Sequence, residues 1–180
     1  MKRITFIAML IFLWPSLHAQ EYEGVEKGDI EFSFFGMIMG TGGFAMGTFF
    51  VQGGYYITDK LLVGAGPGVT ITGYEMVEFD PETFETNTKT ELDASLSLQL
   101  FTTYNFFTDR PRFPYAKAVL GQSKFDKDNF FCYTSLEIGG GYKWFFTDRI
   151  AWDSSLTFGL GFSSPVSATI TFLTGLTFKL

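Results

Sequence analysis

The chain of 180 residues carries one histidine, His18, and one cysteine, Cys132. Histidine is the commonest general base near neutral pH and the commonest transition-metal ligand. Because His18 lies inside an N-terminal export-type segment, the rest of the chain has neither. A lone cysteine forms no internal disulfide, and no Cys/His set has zinc spacing. What remains is carboxylates and lysines. Glu31, Asp93, Lys117, Glu137, Lys143 and Asp153 fall on the same face of the alternating segments traced below, and Glu91 and Lys179 share it. Charges gathered in a narrow interior either pass protons and ions or pair into a salt-bridged plug, and pairing is what lets buried charges persist. A second set, Glu78, Asp80, Glu82 and Glu85, lies in the acidic stretch between Glu75 and Glu91. Oxygen-rich loops bind calcium or magnesium, but this one lacks EF-hand spacing and an internal glycine. It is read as a solvated surface loop open to contact. No catalytic residue, metal or cofactor is expected.

Lys2 and Arg3 precede an apolar run from Ile4 to Trp14, and Pro15-Ser16-Leu17-His18-Ala19 supplies a breaker and a small residue for a peptidase. The run is too short for the roughly 20 residues of a spanning helix. The expected division is therefore an export signal over 1–19, an N-terminal segment over 20–28 and one domain over 29–180. Cleavage removes two of the 13 basic residues and none of the 19 acidic ones, leaving a net charge of −8. An acidic chain without a basic stripe is a poor nucleic-acid binder. Aromatics make up 19% of the chain, with 23 Phe and 20 Gly. That is too apolar for disorder, and no downstream run is long enough for a helical span.

The elements that position the charges read as eight strands of period two. The clearest carries Leu92, Ala94, Leu96, Leu98, Leu100, Thr102, Tyr104 and Phe106 against Glu91, Asp93, Ser95, Ser97, Gln99, Thr103 and Asn105, with Phe101 as a misfit. Alternation over some 16 residues has no helical interpretation, and its length exceeds the usual globular strand. The other segments run over 29–40, 47–57, 61–74, 115–122, 131–146, 150–162 and 168–180; that over 115–122 has the faintest pattern. Pro67 lacks the N–H of a ladder, and a bulge within Gly64 to Gly68 is expected to accommodate it. Three corners repeat: Tyr55-Tyr56-Ile57-Thr58-Asp59-Lys60, Asn105-Phe106-Phe107-Thr108-Asp109-Arg110 and Trp144-Phe145-Phe146-Thr147-Asp148-Arg149. Each sets aromatic rings at one level and a charged turn past them, as the water-facing rim of a transmembrane β-barrel requires. They alternate with connections of varied length near 41–43, 76–89, 123–129 and 163–167.

A soluble ligand-binding barrel of the lipocalin type would reverse the faces. Strand length, aromatics near strand ends and a polar face rich in Gly, Ser and Thr favour the membrane assignment, in which Cys132 is a small lipid-facing residue. The export signal, eight alternating strands, aromatic Thr-Asp-Lys/Arg turns and alternating final strand resemble the small outer-membrane β-barrels of the OmpA/OmpX type. That family's last strand usually ends in an aromatic residue; here the end is Leu180 and the aromatic is Phe178. The resemblance implies an all-β, eight-stranded antiparallel up-and-down barrel in the outer membrane of a Gram-negative bacterium. It also implies contact with outer-membrane lipid and lipopolysaccharide, and assembly by the barrel-assembly machinery. Enzymatic barrels of similar size, the lipid A palmitoyltransferases and deacylases, use a histidine with a serine, and a serine without a base is a weak nucleophile. The expected role is non-enzymatic, structural or surface-interactive, with a cell-surface partner of unknown kind. A narrow OmpW-like path for small apolar molecules is the alternative, and an apolar lumen or lateral opening would be its mark.

Overall fold

The computed structural model describes residues 22–41, 43–79, 86–124, 133–162 and 167–180. Eight strands follow one another: β1 (Ile30–Thr41), β2 (Phe44–Tyr56), β3 (Leu61–Phe79), β4 (Thr86–Asn105), β5 (Arg112–Lys124), β6 (Tyr133–Phe145), β7 (Ile150–Gly161) and β8 (Ser167–Lys179). Each pairs antiparallel with the next, and β8 returns to β1, closing an up-and-down barrel. Closure leaves no sheet edge along the wall, which is what a strand protein in lipid needs. Ile30 and Leu180 bond reciprocally through their backbones, so the two ends of the barrel sheet meet at one rim. We call it the turn rim, because the three Thr-Asp-Lys/Arg corners share it.

The register fixes the size of the barrel. Starting at Lys179, the paired residues Glu31, Gly54, Gly64, Phe101, Val119, Glu137 and Gly159 lead back to β8 at Thr169. The offset of ten residues, 179 against 169, tilts eight strands by roughly 40° at ~3.3 Å per residue and ~4.8 Å between strands. A tilted strand of 12 residues, such as β1, then rises roughly 30 Å, enough for an apolar band of about 25 Å.

The alternation sorts the faces as expected. Ile38 is 81% exposed, Leu92 78% and Ile170 74%, and Phe34, Phe49, Leu100, Leu156 and Phe172 also point outward. Tyr104 and Phe106 stack edge to face at 5.2 Å near the turn rim, and Arg112 lies over the Trp144 ring at 4.2 Å. These rings form the aromatic level that the repeated corners announce.

Several expectations are corrected. No bulge forms at Pro67: pairing with β2 lapses between Phe50↔Gly68 and Gly53↔Ala65 and resumes in the same register, while Pro67↔Leu98 continues the ladder to β4. The missing N–H removes one bond without inserting a residue, because Gly66 lets the backbones stay close: a Cβ there would overlap the Val51 carbonyl oxygen. The faint segment at 115–122 is a full strand of 13 residues. The stretch Met76 to Lys89 is not a loop throughout; β3 runs to Phe79 and β4 begins at Thr86, with Glu78 paired to Asn87. On β4 the side chains of Thr88, Lys89 and Thr90 are all exposed, so both faces of the strand are wet there, hydrophobic alternation is not imposed and pairing persists through threonine-rich backbone. Asp80, Glu82 and Glu85 lie outside the described residues, as do residues 1–21 and Cys132.

The three corners are not one structure. The first and third share one cap: Thr58 Oγ1 accepts from the N–H groups of Lys60 and Leu61, and Thr147 Oγ1 from those of Arg149 and Ile150. The second is longer, holding Phe107 at φ 56° and burying Thr108.

Candidate functional site

The inward face of each strand builds the lumen, and the site is what fills it. β1 delivers Glu31 and Ser33, β5 Tyr115 and Lys117, β6 Glu137 and Lys143, and β7 Asp153, all buried. Lys143 Nζ lies 2.5 Å from both Glu31 carboxylate oxygens and 3.9 Å from Asp153 Oδ2. Tyr56 donates to Glu31 Oε2 at 2.9 Å, and Tyr115 donates to Asp153 Oδ1 at 2.6 Å. Asn105 Nδ2 donates to the Tyr56 hydroxyl at 3.2 Å, and Thr177 Oγ1 donates to Asp153 Oδ2 at 3.4 Å. This core therefore ties together β1, β2, β4, β5, β6, β7 and β8. Desolvated charges are retained here because each carboxylate oxygen has at least one hydrogen-bond donor aimed at it.

The other charges of the expected network sit elsewhere. Lys117, 6% exposed, has no carboxylate within ion-pair reach among the described residues. It donates to Gln52 Oε1 at 3.3 Å and lies 5.0 and 5.1 Å from the ring centroids of Phe35 and Phe101. Gln52 in turn donates to Gln99 at 2.8 Å. Glu137 accepts from Thr157 Oγ1 at 2.6 Å and has no lysine within ion-pair distance among the described residues. Asp93 is exposed and accepts from the Ala94 N–H, outside any lumen network. It has lumen parity, but β5 stops at Lys124 opposite Leu96, so Asp93 lies beyond that pairing, toward the β3–β4 tip. Glu91 binds the Tyr74 hydroxyl and Lys89 on the same hairpin.

The lumen is also more apolar than its polar parity promised. At the turn rim Tyr56, Leu62, Phe113, Phe145 and Ala151 pack with Phe101 and Val119, and further in Phe35, Phe50 and Leu173 form a second cluster. The rings fit because a glycine stands directly across the ladder from three aromatics: Gly64 opposite Phe101, Gly68 opposite Phe50 and Gly141 opposite Tyr115. A Cβ at any of the three would overlap the facing ring, or for Tyr115 its hydroxyl end.

Residues 22–28, ahead of β1, pack on the turn rim. Val25 is buried in the rim cluster, and Tyr22 packs at 5.1 Å on Phe145. Burial, and then the nearby Asp148 carboxylate, push the Tyr22 phenol well above its ordinary range. The 20–28 segment carries no period and no motif, so only its glycines could have hinted at this: Gly24 and Gly28 adopt φ of 87° and 105°.

The closed wall, outward apolar band and aromatic rim define a transmembrane-type β-barrel of eight strands. Comparison with solved structures agrees. The N-terminal β-barrel domain of Pseudomonas aeruginosa OprF superposes with a TM-score of 0.55 at 18% identity, over 86% of this chain and 98% of that one. A de novo designed transmembrane β-barrel gives 0.53 at 12% identity, over 87% and 99%. At these identities the likeness is one of fold. No family model and no curated protein matches the sequence.

Proposed function

We propose that the chain is a non-enzymatic outer-membrane β-barrel protein of a Gram-negative bacterium, with a structural or surface-interaction role and a plugged lumen. The observation that carries this reading is the β3–β4 hairpin. β3 and β4 are 19 and 20 residues long against 12 or 13 for the other strands. The hairpin therefore projects roughly 15 Å beyond its neighbours at the tilt given above. A rigid paired projection at the end opposite the sealed rim is a platform for contact with lipopolysaccharide or a surface partner, and assembly would use the barrel-assembly machinery. The absence of histidine after His18 supports the non-enzymatic reading.

Replacing Glu78 to Asn87 with a short Gly/Ser turn is expected to leave a folded, heat-modifiable barrel, since closure entropy changes slowly with loop length, and to abolish surface binding. A folded variant that keeps every surface phenotype would contradict the reading. A second reading, a narrow path for small apolar molecules, draws on the Phe35, Phe50 and Leu173 cluster. Reproducible single-channel steps or apolar-solute uptake by the pure barrel would favour it.

A further inference from the structure

We propose that Tyr22–Gly28 is a displaceable strap that seals the lumen at the turn rim, and that the aspartates of the repeated corners are its clasp. The proposal goes beyond the surface role above and does not depend on it.

The corners divide their labour. In the first and third, threonine caps the turn, which leaves the neighbouring aspartate free. Asp148 Oδ1 accepts from the Glu23 N–H at 3.1 Å, and Asp59 Oδ1 accepts from the Lys27 N–H at 2.9 Å. Lys179 Nζ holds the Gly24 carbonyl at 2.5 Å and Asp148 at 3.2 Å. The strap is thus gripped near both ends through its backbone, a mode that needs no particular strap side chain there. Between the grips Val25 enters the rim cluster, and positive φ at Gly24 and Gly28 turns the chain in and back out. The strap belongs to no strand, and its backbone bond to the wall, from the Gly28 N–H to the Tyr56 carbonyl at 2.9 Å, lies at its β1 end, so release of residues 22–27 breaks no strand-to-strand hydrogen bond. Release would uncover Ala151, which is fully buried now, and admit water toward the Glu31–Lys143 pair.

Cysteines introduced one at a time at 25, 26 and 151 in the full mature chain carrying Cys132→Ser, reacted with a water-soluble maleimide and read by peptide mass mapping, test this. With the clasp intact, Val25→Cys and Ala151→Cys should react at least tenfold more slowly than Glu26→Cys. With Asp59→Ala and Asp148→Ala together, both should approach the Glu26→Cys rate while the barrel stays heat-modifiable. Gly24→Val is the strap-side counterpart if the double variant does not fold, since its Cβ would meet the Thr108 carbonyl at 3.3 Å in a backbone conformation β-branched residues avoid. Fast reaction at 25 with the clasp intact, or protection at 25 and 151 that survives release by a folded variant, would overturn the proposal.

Discussion

Lys143 shows why this lumen holds charge at all. Its ammonium meets both oxygens of Glu31, with Asp153 behind, at near-complete burial. Removing one partner strands the other in a dry interior, a cost of about 3 to 5 kcal/mol. Lys143→Met alone should therefore lower barrel stability by that order in urea titrations of the folded barrel in micelles. Glu31→Gln with Lys143→Met should recover much of the loss; a double variant as unstable as the sum of the singles would contradict the pairing. Tyr22 makes a different prediction. Its buried hydroxyl has no partner among the described residues, and its pKa is raised by burial and Asp148. A group whose docked pKa is raised favours docking fully below its free value, about 10 for tyrosine, and loses that contribution as pH climbs past it. The tyrosinate absorbance difference between wild type and Tyr22→Phe should therefore show a midpoint above 10, and a midpoint at or below 10 would mean that Tyr22 is not docked.

Strands are the scale at which the sequence was most readable. Period two set the inward and outward residues of β4 from Ser95 to Asn105, and even the misfit Phe101 keeps its parity by filling the lumen opposite Gly64. Parity says which way a side chain points but nothing of what it meets across the ladder. The pairing of glycines with aromatics was hidden for that reason, as was the separation of Lys117 and Glu137 from the Glu31 core, since both depend on register. The stretch from 76 to 89 misled because its strands pair through the backbone, which hydrophobic alternation does not report. Gly68→Ala tests the aromatic–glycine fit: a Cβ there would overlap the Phe50 ring, with Ser97 Oγ 2.6 Å away. Overpacking of this kind costs about 1 to 3 kcal/mol. Adding Phe50→Leu should restore most of it in a double-mutant cycle, and additive losses would show that the two do not share the space.

For the whole molecule, eight strands, an offset of ten residues and charged and aromatic side chains buried on the inward face describe a wall whose apolar side points outward, as a lipid-facing surface would. Residues 22–28, which have no sequence pattern, pack on the rim where the corners converge. The most direct test is a spin-label scan along β4 from Ser95 to Thr102 in lipid bilayers, reading collisions with oxygen and with a water-soluble nickel chelate. Oxygen accessibility should peak at Leu96, Leu98 and Leu100 and fall at Ser95, Gln99 and Phe101, with little nickel accessibility at the peaks. Nickel accessibility peaking at the three leucines, or no period of two, would contradict a membrane-embedded barrel with its leucine face in lipid.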